Sequence, residues 1–197
     1  MPVYNGEAFL AEAIPHVLAQ QYHPLEFIMV DDGSTDGTAD IAAVFSDHIR
    51  YVRQPNQGPA AARNRGIEIA QGEFLAFLDV DDLWGGRILH RLVGYLEAHP
   101  EVGIAQGLIQ QMHLVRTDSK SHPKIFMPVS QPYQFINIGS AVYRKTVFDT
   151  VGLFDPELRD NEDTDWFVRA WEHNVPKAVL PEVVMFYRKH DCNMTLE

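Results

Sequence analysis

Asp79-Val80-Asp81-Asp82 sets three carboxylates within four residues, directly after the apolar run Phe74-Leu75-Ala76-Phe77-Leu78. Such a cluster repels itself and cannot be buried without a compensating partner. A solvated acidic turn is the simplest account of a lone D-x-D. The run before it, however, has the length and composition of a strand buried on both faces, and open α/β sheets bind ligands at such strand ends. There the acids point to a divalent cation, Mg²⁺ or Mn²⁺, hard ions that take oxygen ligands and in turn bind phosphate oxygens. A second cluster, Asn161-Glu162-Asp163-Thr164-Asp165, opens a helical pattern that carries Trp166, Phe167, Ala170 and Trp171. Carboxylates at a helix start are favoured by the helix dipole alone, so this cluster by itself specifies no chemistry.

The elements that must position these acids read as an alternation. Leu10, Ala13, Ile14, Val17 and Leu18 recur at helical spacing between Glu7 and Gln20, with Pro15 expected to kink that helix. Leu25 to Val30 is a buried-strand run ending at Asp31-Asp32-Gly33, where Gly33 permits a tight turn and Ser34 or Thr35 can cap a helix running to about Phe45. A short strand over Ile49 to Arg53 follows, then a helix over Ala60 to Ala70, with Pro59 placed to start it and Gln71-Gly72 to stop it. Strand and helix in turn predict a parallel sheet with helices on both faces. Asn5, Asp31, Asp32 and Asp79 to Asp82 then gather at one sheet edge, as a nucleotide crevice needs. Beyond Trp84 the pattern predicts a helix from Arg87 to about Ala98 and a strand over Val102 to Gly107. A loop or β-ribbon is expected over 113–132, a strand over Ile136 to Tyr143, a short helix over Arg144 to Val151, and a last strand or pair of strands from Lys177 to Phe186. Met1 to Gly6 reads as the tail of a first strand whose earlier residues are missing, so the expectation is a truncated first strand.

Composition bounds the class. The chain has 197 residues, 46% hydrophobic and 22% charged, enough for one domain with a substantial core. No apolar run approaches the roughly 20 residues that span a bilayer, and the N-terminus lacks a signal peptide's basic and apolar regions. One cysteine, Cys192, allows no internal disulfide and reads as inert; the expected location is cytoplasmic. A net charge of −11 argues against nucleic-acid partners. It also poses a problem for a phosphate-bearing ligand, which a metal would relieve locally.

Four segments stand in order along the chain: PVYNGE from Pro2, VDDGSTDGT from Val30, GEFLAFLDVDD from Gly72, and EDTDW from Glu162 followed by YRKH. With these segments the chain resembles glycosyltransferase family 2, of the GT-A fold, nearly end to end. The resemblance implies an α/β, Rossmann-like domain over 1–197, with a mostly parallel central sheet and helices on both faces. Its nucleotide-sugar half would span about 1–110 and its acceptor and catalytic half about 111–197. It implies a nucleotide-sugar donor, first a UDP-sugar, and transfer with inversion to a carbohydrate or lipid-linked acceptor, in cell-surface polysaccharide or glycoconjugate synthesis. No transmembrane segment is expected, and peripheral membrane association is left open.

Carried over by position, Pro2 and Tyr4 would line the base pocket and Asp32 would accept a hydrogen bond from the base. Asn56 and Arg63 would help hold the nucleotide, and Asp79 would contact the ribose. Asp81 would ligate the metal that bridges the diphosphate, joined by His190 from the C-terminal end, where Arg188 approaches the diphosphate. Asp82 would support the strand end, and Asp163 would be the general base. Plainer readings stand beside these roles: core packing for Tyr4, a surface helix position for Arg63, and incidental placement near the chain end for Arg188 and His190. Three rival functions are a shortened relative that only binds nucleotide or a partner, a sugar-phosphate nucleotidyltransferase, and a phospho-acceptor regulator at Asp31-Asp32. The second lacks a glycine-rich basic loop at Val3 to Glu7, and the third leaves the acids around Asp163 unexplained.

Overall fold

Strand β1 (Pro2–Val3) pairs in parallel with β2 (Ile28–Asp31), and β2 in parallel with β3 (Arg50–Arg53). The computed structural model describes residues 1–116, 124–158, 160–191 and 193. Helices α1 (Glu7–Leu18) and α2 (Thr38–Val44) connect these strands, and α3 (Pro59–Ile69) follows β3, as the alternation predicts. Pro15 sits inside α1, which continues past it to Leu18.

The alternation does not continue as parallel pairing. Strand β4 (Phe74–Ala76) joins a second sheet, antiparallel to β8 (Ala141–Arg144). Next in that sheet come β6 (Ile104–Arg116), β9 (Lys177–Lys189) and β5 (Leu83–Trp84), with β7 (Ile125–Pro128) along the outer part of β6. Among the described residues β6 and β9 are the one parallel pair there. The ribbon expected over 113–132 is the β6–β7 pair; 117–123 lie outside the described residues, as does Cys192.

The strand expected from Ile136 begins only at Ala141. Asn137 accepts the Gly139 N–H through its side chain at 2.7 Å, and the Ser140 hydroxyl donates to the Asn137 carbonyl at 2.8 Å. These local bonds close a 3-10 turn over Ile138–Ser140 in competition with strand pairing.

Two large cores hold the sheets, beside a small one of Ile28, Val30 and Ala62. Leu10, Ile14, Met29, Leu92, Leu96 and Met185 belong to one, under α1 and α4 (Ile88–Ala98). Phe77, Tyr143, Phe148, Phe154, Trp166 and Phe167 belong to the other, which fastens α5 (Lys145–Val151) and α6 (Glu162–Glu172) to β8. Trp166 stacks on Phe148 at 4.6 Å and meets Tyr143 edge-on at 5.5 Å, arrangements favoured by the ring quadrupoles. Between β2 and β4 lies a cavity of about 300 Å³, lined among others by Pro2, Val30, Gly66, Leu75 and Val142.

Candidate active site

The acids after β4 are held from beneath by buried apolar side chains. Phe77 and Leu78 are buried beyond the last paired residue, Ala76, and the Asp82 N–H donates to the Asp79 carbonyl at 3.1 Å, closing the turn. Asp82 is only 2% exposed and accepts the Arg188 backbone N–H at 2.8 Å. Burial, and then the charges of Asp81 and Asp79, push its carboxyl well above the ordinary aspartate range. Asp82 thus ties the turn to β9, the support expected of it. Asp81 has different partners. Its Oδ2 lies 3.2 Å from His190 Nε2 and accepts from Asn193 Nδ2 at 3.0 Å. Its pKa is raised by burial and by the Asp79 charge.

Arg188 is buried alongside. Its Nη1 donates to Glu12 Oε2 at 2.7 Å and its Nε to the Asp81 carbonyl, while the guanidinium lies over Phe126 at 4.8 Å and Phe9 at 5.3 Å. It fixes the main chain of the acidic turn to α1, which disposes of incidental placement near the chain end.

Arg63, on α3, meets the same turn and is 6% exposed. Its Nη2 donates to both Asp79 oxygens, at 2.8 and 3.1 Å, and its Nη1 to Glu162 Oε1. Burial works against its charge, but Asp79 and Glu162 outweigh burial and push its pKa up. Glu162 opens α6 and is itself buried. The next residue, Asp163, is half-buried and accepts the Thr164 N–H at 2.7 Å. Burial raises its pKa, the charges of Glu162 and Asp79 add to the rise, and Arg63 opposes it. The two acidic clusters, far apart in sequence, therefore meet through one guanidinium.

A sequence profile described as Glycosyl transferase family 2 matches residues 1–152. The chain belongs to glycosyl transferase family 2. It is 32% identical to an uncharacterized glycosyltransferase of Rickettsia typhi, over 99% of this chain and 64% of that protein. It is 27% identical to the uncharacterized glycosyltransferase EpsJ of Bacillus subtilis, over 99% of this chain and 61% of EpsJ. The chain thus spans less than two thirds of the length of these relatives. Among solved structures it superposes on S. aureus TarS 1-349 in complex with UDP-GlcNAc, with a TM-score of 0.78 and 22% identity over 98% of this chain and 58% of the other. It also superposes on the mannosyltransferase PcManGT of Pyrobaculum calidifontis, in complex with GDP-Man and Mn²⁺, with a TM-score of 0.74 and 20% identity over 97% and 56% of the two chains. These superpositions identify the GT-A fold, an α/β domain as the sequence implied.

In this family 2 chain the remaining candidate residues gather around β1 and β2. Pro2 pairs with Val30 and lines the cavity between the sheets, while Tyr4 is 53% exposed just beyond β1, which removes core packing as its role. Asp32 is 3% exposed and accepts from Gln54 Nε2 at 2.8 Å, Gln57 N at 3.0 Å and Gly58 N at 2.8 Å. It folds the loop that carries the exposed Asn56. Gly33 makes that loop's approach possible: its φ is +81°, and a Cβ would stand 2.9 Å from Asn56 N. Burial of Arg63 removes its reading as a surface helix residue.

Among the described residues no group of three or more His, Cys, Asp or Glu side chains is disposed to hold a metal ion. Asp81 and His190 offer two ligand atoms, and the surplus negative charge at Asp79, Asp81 and Asp82 favours a cation. The set fits Mg²⁺ or Mn²⁺ only in company with ligand oxygens such as those of a diphosphate, the usual habit of Mg²⁺. Sequence reasoning missed Glu162, Glu12 and Asn193 as partners of Arg63, Arg188 and Asp81. Glu162 alone carried a signal, as the neighbour of the candidate base.

Proposed function

We propose that this chain contains the donor-binding and catalytic parts of an inverting glycosyltransferase, moving a sugar from a UDP-sugar to an acceptor hydroxyl in cell-surface polysaccharide or glycoconjugate synthesis on the cytoplasmic side. The observation that carries the reading is Arg63, which bonds both the strand-end acid Asp79 and Glu162, the residue before Asp163 at the start of α6. Residues 1–110 form the donor half of this proposal and 111–197 the acceptor half. Tyr4, exposed beyond β1, packs against the base beside Pro2, and Asp32 with the Asn56 loop closes that pocket. Asp79 takes the ribose, through the oxygen surface that Arg63 leaves uncovered.

The reaction balances as one displacement. The acceptor O–H proton passes to an Asp163 oxygen as the acceptor oxygen bonds to the anomeric carbon. The bond from that carbon to the β-phosphate oxygen breaks on the opposite face, and its electron pair leaves on the nucleoside diphosphate. A half-buried carboxylate with a raised pKa has more proton affinity than an exposed one, which suits a general base. Asp81 and His190 would hold the divalent ion, and bound there it supplies charge neutralisation to the departing diphosphate. Arg188 reaches the same place indirectly, by fixing the Asp81 main chain. The likeness to a TarS complex makes UDP-GlcNAc the first donor to test.

Isothermal titration of UDP, GDP and ADP, with and without Mn²⁺, tests the reading. UDP is expected to bind most tightly and to gain affinity from Mn²⁺, and Asp81→Ala is expected to remove the Mn²⁺-dependent gain while leaving the fold intact. Equal metal enhancement in variant and parent takes Asp81 out of the site. Absence of nucleotide binding by the folded parent overturns the proposal.

A further inference from the structure

The ion pair between Arg63 and Glu162 buries two charges, and burial of that kind is weak evidence for a stabilising role. Removing two such charges in favour of apolar groups is often neutral or favourable, because desolvation offsets the attraction. The body of α6 is also secured without it. Trp166, Phe167 and Ala170 are buried in the aromatic core. Trp166 Nε1 donates to the Gly152 carbonyl at 2.9 Å. Arg169 donates to the Val151 and Leu153 carbonyls, each at 2.9 Å, and pairs with Asp165 at 2.8 Å.

What the core does not hold is the first turn of α6. Asn161, the residue before it, has a left-handed φ of 62° and makes no side-chain capping bond. Glu162, drawn inward to Arg63, is the side chain that orients this turn, and Asp163 follows it immediately. The same guanidinium grips both oxygens of Asp79 at the end of β4. Arg63 and Glu162 therefore link the donor-side acid to the candidate base by one rigid fork. Arginine suits this task, since its planar donors engage two carboxylates in fixed directions, which a lysine ammonium cannot do.

We propose that Arg63 and Glu162 are positioning residues, a buried strut that sets Asp163 against the donor held at Asp79 and governs turnover rather than donor affinity. This assignment rests on the reading of Asp163 as the base. It also changes the part of Arg63, which acts through Asp79 and Glu162 and not by touching the nucleotide. Without Arg63, three carboxylates would face one another across the crevice and the first turn of α6 would move away from Asp79.

The test removes both charges together, so that neither is left buried and unpaired. Arg63→Met/Glu162→Gln, Arg63→Lys, Asp163→Asn and the combination of the double variant with Asp163→Asn are compared with the parent. Melting temperature, UDP affinity with Mn²⁺, and hydrolysis of UDP-GlcNAc by water are read for each. The double variant is expected to melt near the parent and to bind UDP within about threefold of it. Its turnover is expected to fall about a hundredfold, the scale of an ångström-sized misplacement. Arg63→Lys should recover part of that loss, and Asp163→Asn should cost far less in the double variant than in the parent. Parental turnover in the double variant overturns the strut, as does a loss that appears wholly in UDP affinity or in melting temperature. An Asp163→Asn protein as active as the parent instead removes the base reading on which the strut rests.

Discussion

Asp163, the proposed base, is half-buried in the first turn of α6. Among the described residues its hydrogen bonds come from its own neighbour, Thr164, through the N–H at 2.7 Å and the hydroxyl at 3.4 Å, whereas Glu162 is held by Arg63. A base acts in the transition state and adds little to ground-state donor binding. Asp163→Asn is therefore expected to leave UDP affinity unchanged while cutting turnover by about 10²–10⁴. Asp165→Asn is the control, because Asp165 pairs with Arg169 along the helix. The sign of the pH dependence follows from burial. The Asp163 pKa is raised, the anion is the active form, and turnover should be lost as pH falls through a value above the ordinary aspartate pKa of about 3.9. A pH–rate profile checks this: an acid limb at the ordinary value, or one that survives in Asp163→Asn, assigns the limb to another group.

At the scale of elements, β9 is the piece on which the site depends. It carries Arg188 and, just beyond its end, His190, and it pairs along β6 from Ile104 to His113 with breaks in register around Gly107 and Leu108. Gly107 is why the strands can approach there. A Cβ at this position would stand 2.2 Å from Val184 Cγ1 and 2.8 Å from the Glu182 carbonyl. Gly107→Ala must therefore push β9 outward, with an expected loss of about 1–3 kcal/mol from overpacking. Chemical denaturation measures that loss, and a Mn²⁺-dependent fall in UDP affinity should accompany it, because Arg188 and Asp82 move with the strand. An unchanged unfolding midpoint would mean that the irregularity absorbs the methyl group.

At the scale of the whole molecule, a cavity lies at the boundary between the two sheets. The cavity between β2 and β4 is crossed by α3, whose Gly66 lines it. A Cβ there would meet only Val30 Cγ2, at 3.8 Å, an ordinary contact. Glycine inside a helix costs about 1 kcal/mol relative to alanine. Gly66→Ala is expected to stabilise the protein by about that amount, raising the melting temperature by about 2–4 °C for a domain of this size. Calorimetry decides it, and a lower melting temperature would show that the cavity tolerates no added methyl group.

Local chemistry determined much of this protein in advance. Helical spacing in Leu10, Ile14 and Val17 announced α1, and Pro59 with Gly72 bracketed α3 and the turn after it. Three acids after an apolar run marked a strand-end site, because such a cluster is costly unless a strand end and a ligand account for it. Partnership was decided only in three dimensions. Arg63 reads in sequence as one basic residue on a polar helix, and Glu162 as one acid among three at a helix start. That they meet depends on α3 and α6 both reaching the same aromatic core, a property of long-range contacts that no spacing along the chain encodes. The direction of β4 was hidden for the same reason. A buried apolar run looks alike whether its neighbour is parallel β1 or antiparallel β8, and only the assembled sheet chose β8.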